Sequence, residues 1–340
     1  MPKGRFYLKR LNPKIFLTLQ KRIRFSCAEP LGFQRSTEER KLITKNKSSM
    51  TAPLIVITGA NSGIGKATAL ALAKKGNRIV MICRSEARGL AAQQDIVEES
   101  GNKQVFLELC DLASHASIKA CSIVLHQQYK SIDILINNAG GIFGAHQLTE
   151  DGLERTFGLN HMGYFLFTHY MLDLVKAGSG KRIISVASIA HKMTSSIPWG
   201  DLQLRNIRYR QFQAYALSKL YNIYFTKILA QKMLDEKTGI TVNCLHPGSI
   251  YTGFGTSGSK AFAKLVQVGG RFLPKPKTGA KTSVYLATAA DLSTVTGAYY
   301  AHGKRAGISR LAKNKEAAQR IWDKSLELAN IESYGVIESV

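Results

Sequence analysis

Residues 54–65 read Leu54-Ile55-Val56-Ile57-Thr58-Gly59-Ala60-Asn61-Ser62-Gly63-Ile64-Gly65, and their order decides the fold. Four apolar residues in a row suit a strand buried on both faces rather than one with a wet side. Glycines then break the strand, and Gly63-Ile64-Gly65 opens an Ala- and Leu-rich helical stretch near 63–75. A helix that starts there turns its unpaired N–H groups and partial positive charge toward the strand end, where an anion can be held. Glycine is needed because a Cβ would block either the anion or the packing of helix on strand.

The same alternation continues along the chain. Strands are predicted at 54–58, 78–83, 104–110, 133–137, 182–187, 240–245 and 297–301, with helices near 63–75, 86–100, 115–129, 151–176, 213–236 and 278–289. Strands separated by helix-length segments imply right-handed crossovers and a parallel sheet. Ile134-Leu135-Ile136 and Ile183-Ile184-Ser185-Val186 are apolar on both faces, as a sheet covered by helices requires. The expectation is an α/β fold: one doubly wound domain over residues 51–340, with a parallel sheet of about seven strands and helices on both faces. A helix at 312–330 should pack on its body. Two segments interrupt the pattern. Residues 189–212 form a polar insertion, and 249–276, which hold Pro274 and Pro276, follow the strand ending at Leu245. Ligands of open α/β sheets bind at that carboxyl edge, so 249–276 is expected to be a substrate lid.

Composition narrows the function classes. A chain of 340 residues with 45% hydrophobic content can bury a sizeable core. The five cysteines (Cys27, Cys83, Cys110, Cys121, Cys244) lack metal-ligand spacing and read as reduced thiols, with no metal expected. No apolar run approaches the ~20 residues of a membrane span. Residues 1–50 carry 13 Lys and Arg against 3 Glu, +10 of the chain's +24. Such a tail suits anionic membranes or nucleic acid, and residues 1–28, free of acids, would also serve as an organellar presequence. Met50 stands just before the first strand, which favours a disordered or untranslated basic extension over 1–50. Nucleic-acid binding is not expected, because aromatics are not interleaved with the basic residues. The cytoplasm is the expected location, with organellar import through the basic N-terminus as the alternative.

The glycine spacing is G-x-x-x-G-x-G. Between a buried strand and a helix it points to a dinucleotide pyrophosphate held by Gly59, Asn61, Ser62, Gly63, Ile64 and Gly65. An acid at the end of the second strand would mark NAD(H) by binding the ribose 2′-hydroxyl; here Ile82-Cys83 is followed by Arg84. A guanidinium can clamp a 2′-phosphate, so NADP(H) is the preferred cofactor and NAD(H) the second choice. Asp111 and Leu112, ending the third strand, should face the adenine. Asn138, Ala139 and Gly140, after Asn137, should close the fourth strand beside the cofactor.

Tyr215-Ala216-Leu217-Ser218-Lys219 sets a phenol and an ammonium four residues apart, on one helix face one turn apart. A cation that close can lower a phenol's pKa from about 10 by roughly 1–3 units. Ser188 ends the fifth strand upstream. Thr58–Gly65, Asn137–Gly140, Ser188, Tyr215 with Lys219, and Pro247-Gly248, in this order over residues 53–305, resemble the short-chain dehydrogenase/reductase family. The retinol dehydrogenase group is the nearest likeness, through Leu159-Asn160-His161-Met162-Gly163-Tyr164-Phe165, His246-Pro247-Gly248-Ser249, Arg320-Ile321-Trp322-Asp323 and the wide gap from Ser188 to Tyr215.

The resemblance implies a Rossmann domain and an oxidoreductase acting on a lipophilic alcohol, aldehyde or ketone; whether it forms a homo-oligomer is left open. Tyr215, acidified by Lys219 and the nicotinamide charge, would donate a proton to the carbonyl oxygen and Ser188 would orient that oxygen. Lys219 would also hold the nicotinamide ribose, and Asn160 would anchor a water relaying protons to Lys219. Pro247, Gly248, Ile250 and Thr252 would border the cofactor. A non-catalytic dinucleotide sensor is the alternative; the presence of both Tyr215 and Lys219 argues against it.

Overall fold

Successive residues of the leading strand face opposite cores, and that alternation organises the molecule. The computed structural model describes residues 52–248 and 275–337. Its strands are β1 (Leu54–Thr58), β2 (Arg78–Cys83), β3 (Val105–Leu109), β4 (Ile134–Asn137), β5 (Arg182–Val186), β6 (Thr241–His246), β7 (Tyr299–Ala301) and β8 (Lys304–Arg305). They form one sheet in the order β3-β2-β1-β4-β5-β6-β7-β8, parallel from β3 to β7, with the order reversing between β1 and β4. The expected seven parallel strands are present. The eighth pairs antiparallel with β7 and is two exposed basic residues long, too short to leave a periodic signal.

The helices are α1 (Gly63–Ala73), α2 (Glu86–Ser100), α3 (His115–Gln128), α4 (Gly163–Ala177), α5 (Gln211–Asp235), α6 (Pro276–Thr288) and α7 (Lys315–Ala329). Ile55, Ile57, Ile79, Met81, Ile136 and Ile184 pack under α1, α2 and α6. Leu54, Val56, Val80, Ile82, Leu135 and Ile183 pack under α3, α4, α5 and α7. Burying each such side chain contributes about 1.5–3 kcal/mol. Trp322 of α7 enters the second core, stacked on Phe225 with centroids 6.1 Å apart, so the C-terminal helix packs on the body as expected.

The helix expected over 151–176 is composite. Glu154 accepts the Thr156 and Phe157 N–H groups through its two carboxylate oxygens and so caps a single turn, Arg155–Phe157. A π-helical turn, Gly158–Met162, follows and feeds α4. The insertion after β5 starts as a tight 3₁₀ turn, Ile189–Met193. It is then pinned to the body: Tyr209 donates to Glu154 Oε1 at 2.9 Å, the Glu154 N–H donates to Gln203 Oε1 at 2.7 Å, and Ile197 and Leu204 are buried.

Cys83, Cys110, Cys121 and Cys244 are buried free thiols. No helix among the described residues is long and apolar enough to cross a membrane. The basic extension, Ile250, Thr252 and all of the 249–276 segment but Lys275 and Pro276 lie outside the described residues.

Candidate active site

A cleft of about 560 Å³ runs along the carboxyl edge of the sheet. The segments following six parallel strands contribute to it: Gly59 after β1, Arg84 after β2, Asp111 after β3, Asn138 after β4, Ser188 after β5 and Pro247 after β6. The reversal of strand order between β1 and β4 opens this crevice, because the flanking crossovers leave in opposite directions.

Its glycine end is shaped by what side chains would collide with. Gly59 takes φ +66°, and a Cβ there would lie 2.8 Å from the Ala139 Cα. A Cβ on Gly65 would fall on the Gly59 carbonyl oxygen and 2.5 Å from Asn138 Nδ2. Thr58 Oγ1 accepts the Asn138 and Ala139 N–H groups at 2.8 and 3.0 Å, locking the β1 and β4 ends together. Ser62 makes no side-chain cap to α1, whose first turn carries no acid, so its N-terminal N–H groups are left for an anion. Asn61, Ser62, Gly63 and Ile64 line the cleft with them. The residues present therefore fit a dinucleotide's pyrophosphate.

Arg84 and Asp111 were expected to meet different parts of the cofactor, and they also meet each other. The Arg84 guanidinium is 3.8 Å from the Asp111 carboxylate, with both side chains partly exposed. An exposed pair at this separation contributes about 0–1 kcal/mol, so it yields readily to a phosphate. Arg88 lines the same rim, as does Leu112. Gly140 lines the cleft as expected; Gly141, Phe143 and Leu159 line it unforeseen, for nothing in their spacing signals a wall.

At the other end α5 brings Tyr215 and Lys219 to one face, as their spacing required. Lys219 is 2% exposed; its Nζ donates to the Val186 carbonyl at 2.8 Å and lies 5.7 Å from the centre of the Tyr215 ring. The Ser188 side chain hydrogen-bonds the Tyr215 phenol and also accepts the Ala190 N–H at 3.1 Å.

Within the protein alone Tyr215 is not acidified; the expectation also counts the nicotinamide charge. Burial pushes the phenol up to about 12, against the opposing pull of the Ser188 hydrogen bond. Burial also brings Lys219 down to about 7. A dry site penalises both charges, and an ammonium already half neutral at pH 7 is a weak acidifier of its neighbour.

Asn160 is fully buried in the π-helical turn, behind the wall of the cleft. Its Oδ1 accepts the Gly141 N–H at 2.8 Å, while Nδ2 donates to the Gly141 carbonyl and to Ser218 Oγ. Ser218 in turn donates to the Tyr215 carbonyl at 2.8 Å. Asn160 thus joins the loop after β4 to the helix carrying Tyr215. Past β6, His246 Nδ1 accepts the Gly248 N–H at 3.1 Å, fixing the Pro247-Gly248 turn against the cleft.

Residues 53–200 match the sequence profile of the short chain dehydrogenase family. Retinol dehydrogenase 13 of Homo sapiens is 37% identical over 298 residues, covering 86% of this chain and 89% of that protein. Retinol dehydrogenase 12 of Mus musculus is 38% identical over 279 residues, covering 82% and 87%. Among solved structures, an uncharacterised protein from Mycobacterium paratuberculosis superposes with a TM-score of 0.66 at 28% identity, covering 84% of this chain and 97% of that one. The 3-ketoacyl-(acyl-carrier-protein) reductase of Brucella melitensis, crystallised with NADH, gives 0.56 at 25% identity, covering 73% and 95%. More than a third identical to these two retinol dehydrogenases across an alignment that spans most of its length, the chain belongs to the short-chain dehydrogenase/reductase family and is an NAD(P)-dependent alcohol or carbonyl oxidoreductase.

Proposed function

We propose that the protein interconverts a lipophilic alcohol and its aldehyde or ketone, with NADP(H) as the preferred cofactor. The observation that carries this reading is the hydrogen-bonded Ser188–Tyr215 pair, opening into the same cleft as the glycine loop. The bound nucleotide supplies the hydride. Tyr215, whose phenol burial keeps protonated at neutral pH, gives its proton to the carbonyl oxygen during reduction. Ser188 orients that oxygen through its Oγ. Lys219 has one N–H committed to Val186 and holds ribose hydroxyls with the others. Asn160 keeps a lone pair on Oδ1 beyond its Gly141 bond, enough to anchor a relay water.

Two features support the finer assignments. Arg84 and Arg88 face the cleft where a 2′-phosphate would lie, favouring NADP(H). Ile189 and Met193, just beyond Ser188, are 43% and 69% exposed, an apolar surface suited to a hydrocarbon chain. The retinol dehydrogenase relatives make a retinoid the first candidate substrate. In this reading residues 51–340 form one catalytic domain with 249–276 as its lid, residues 1–50 are dispensable for turnover, and the protein works in the reducing cytosol. The test is reduction of all-trans-retinal, decanal and glyceraldehyde by the purified protein with NADPH or NADH. Retinal and decanal should turn over with NADPH. A preference for glyceraldehyde would overturn the lipophilic assignment, and equal use of NADH the cofactor assignment.

A further inference from the structure

Behind Ser188 lies a buried imidazole that the proposed chemistry does not use. His191 is fully buried in the 3₁₀ turn Ile189–Met193. Its Nδ1 is 2.7 Å from the Ser188 carbonyl oxygen, and its Nε2 is 3.1 Å from the Ser309 amide nitrogen. A carbonyl only accepts and an amide N–H only donates, so the two backbone groups dictate a neutral ring with its proton on Nδ1. Burial and the neighbouring Lys192 ammonium both resist charging the ring, outweighing the Ser188 carbonyl. The Tyr299 ring of β7 closes a third side, edge-on at 5.2 Å. One side chain thus ties the end of β5 to the segment between β8 and α7.

The tie acts on the residue that meets Tyr215. Ser188 Oγ accepts the Ala190 N–H, so the hydroxyl and the Ser188 peptide move as one unit. Apart from the Nδ1 bond, the Ser188 carbonyl receives only the long 3.3 Å bond from the His191 backbone N–H among the described residues. Without the Nδ1 donor this peptide can tilt and carry Oγ away from the phenol.

We infer that His191 is a positioning residue, whose Nδ1–H fixes the Ser188 peptide so that Ser188 Oγ is held against Tyr215 and the substrate oxygen. The inference rests on the function proposed above. Two near-isosteric variants separate it from a purely structural role. In His191→Asn the amide nitrogen stands where Nδ1 stood, two bonds beyond Cβ, so the Ser188 bond survives and the Ser309 bond is lost. In His191→Gln the amide oxygen reaches the place of Nε2, so the Ser309 bond survives and the Ser188 bond is lost.

With all-trans-retinal and saturating NADPH, kcat of His191→Asn should stay within about 3-fold of wild type, whereas His191→Gln should lose about 10²-fold, the usual cost of an ångström-scale misplacement. NADPH affinity should be unchanged in both. Equal losses of kcat, or losses that merely track each variant's melting temperature, would overturn the inference. Nitrogen-15 NMR of the wild-type imidazole supplies a readout independent of substrate. A proton on Nδ1 with bare Nε2 at neutral pH is expected, and the opposite tautomer or an imidazolium would overturn the assignment. A wild-type protein that keeps the expected tautomer but reduces no carbonyl would overturn the proposed function and leave the His191 tie standing.

Discussion

At the glycine end of the cleft the chain presents backbone, whereas at the Tyr215 end it presents side chains. Gly59 and Gly65 shape the first end by lacking a Cβ, and the donors proposed to meet the pyrophosphate there are the N-terminal peptide N–H groups of α1. Ser188, Tyr215 and Lys219 form the second end, with Asn160 behind it, each held by hydrogen bonds to groups distant in the chain. The first end is local and steric, so it fails by crowding. The second is assembled across the sheet and electrostatic, so it fails by loss of one atom or one proton.

Removing a single oxygen tests that contrast most severely. Tyr215→Phe should lower kcat by roughly 10²–10⁴-fold, the usual contribution of general acid–base catalysis. Its NADPH dissociation constant, read by fluorescence titration, should stay near wild type, since the glycine end is untouched. Unchanged kcat would show that the chemistry lies elsewhere. Adding a single carbon tests the other end. Gly65→Ala drives a methyl against the Gly59 backbone, which cannot retreat as a flexible side chain would. Overpacking of about 1–3 kcal/mol corresponds to roughly 5- to 150-fold weaker NADPH binding if it falls on the bound geometry. An unaltered dissociation constant would mean that close helix–strand approach is not what builds the glycine end.

Charge reversal on the rim should act on selectivity more than on rate. Wild type should favour NADP(H) over NAD(H) by about 10- to 100-fold, and Arg84→Asp should reverse the order, because a carboxylate repels the phosphate and binds the ribose hydroxyl. Persistence of the preference would assign the phosphate to Arg88, on the same rim.

Mild acid should produce the smallest effect, and on one side only. Burial holds His161 at about 3, and His169 and His246 at about 4, below the ordinary 6.5. As pH falls below 6.5 the unfolded chain binds protons that these folded histidines refuse, so their stability contribution, intact above 6.5, is lost progressively toward pH 4. Amide protection at about pH 5, corrected for the slower intrinsic exchange at that pH, should therefore fall in α4 and around Gly248 before α1 or α2. A uniform fall would erase the distinction between the two ends.

The contrast also explains what the sequence could disclose. Strand and helix positions followed from hydrophobic runs, and the glycine loop and the Tyr215–Lys219 pair are close in the chain, so spacing alone places them. The Arg84–Asp111 contact, the Asn160 bonds and the His191 tie join residues 19 to 118 positions apart, and no local pattern encodes them. The burial that opposes acidification of Tyr215 is hidden for a related reason. The spacing of Tyr215 to Lys219 is written in the sequence, but the burial that outweighs the cation exists only once the sheet has closed over both. The π-helical turn was invisible because only the hydrogen-bonding partner shifts there, which no residue pattern encodes.

That turn has a consequence for how the chain can vary in length. A π-helical turn is an α-helix carrying one surplus residue. Deleting Leu159 would let the ladder relax to regular α-helix, a gain for an isolated helix. It would also swing what lies upstream by about 100°, the angular step of one helical residue. The cap at Glu154, tied to the insertion through Tyr209, and Asn160, tied to Gly141 and Ser218, could no longer both keep their partners. Lineages of this protein should therefore keep the number of residues between Gly158 and Met162 fixed, and the identity of Asn160 with it.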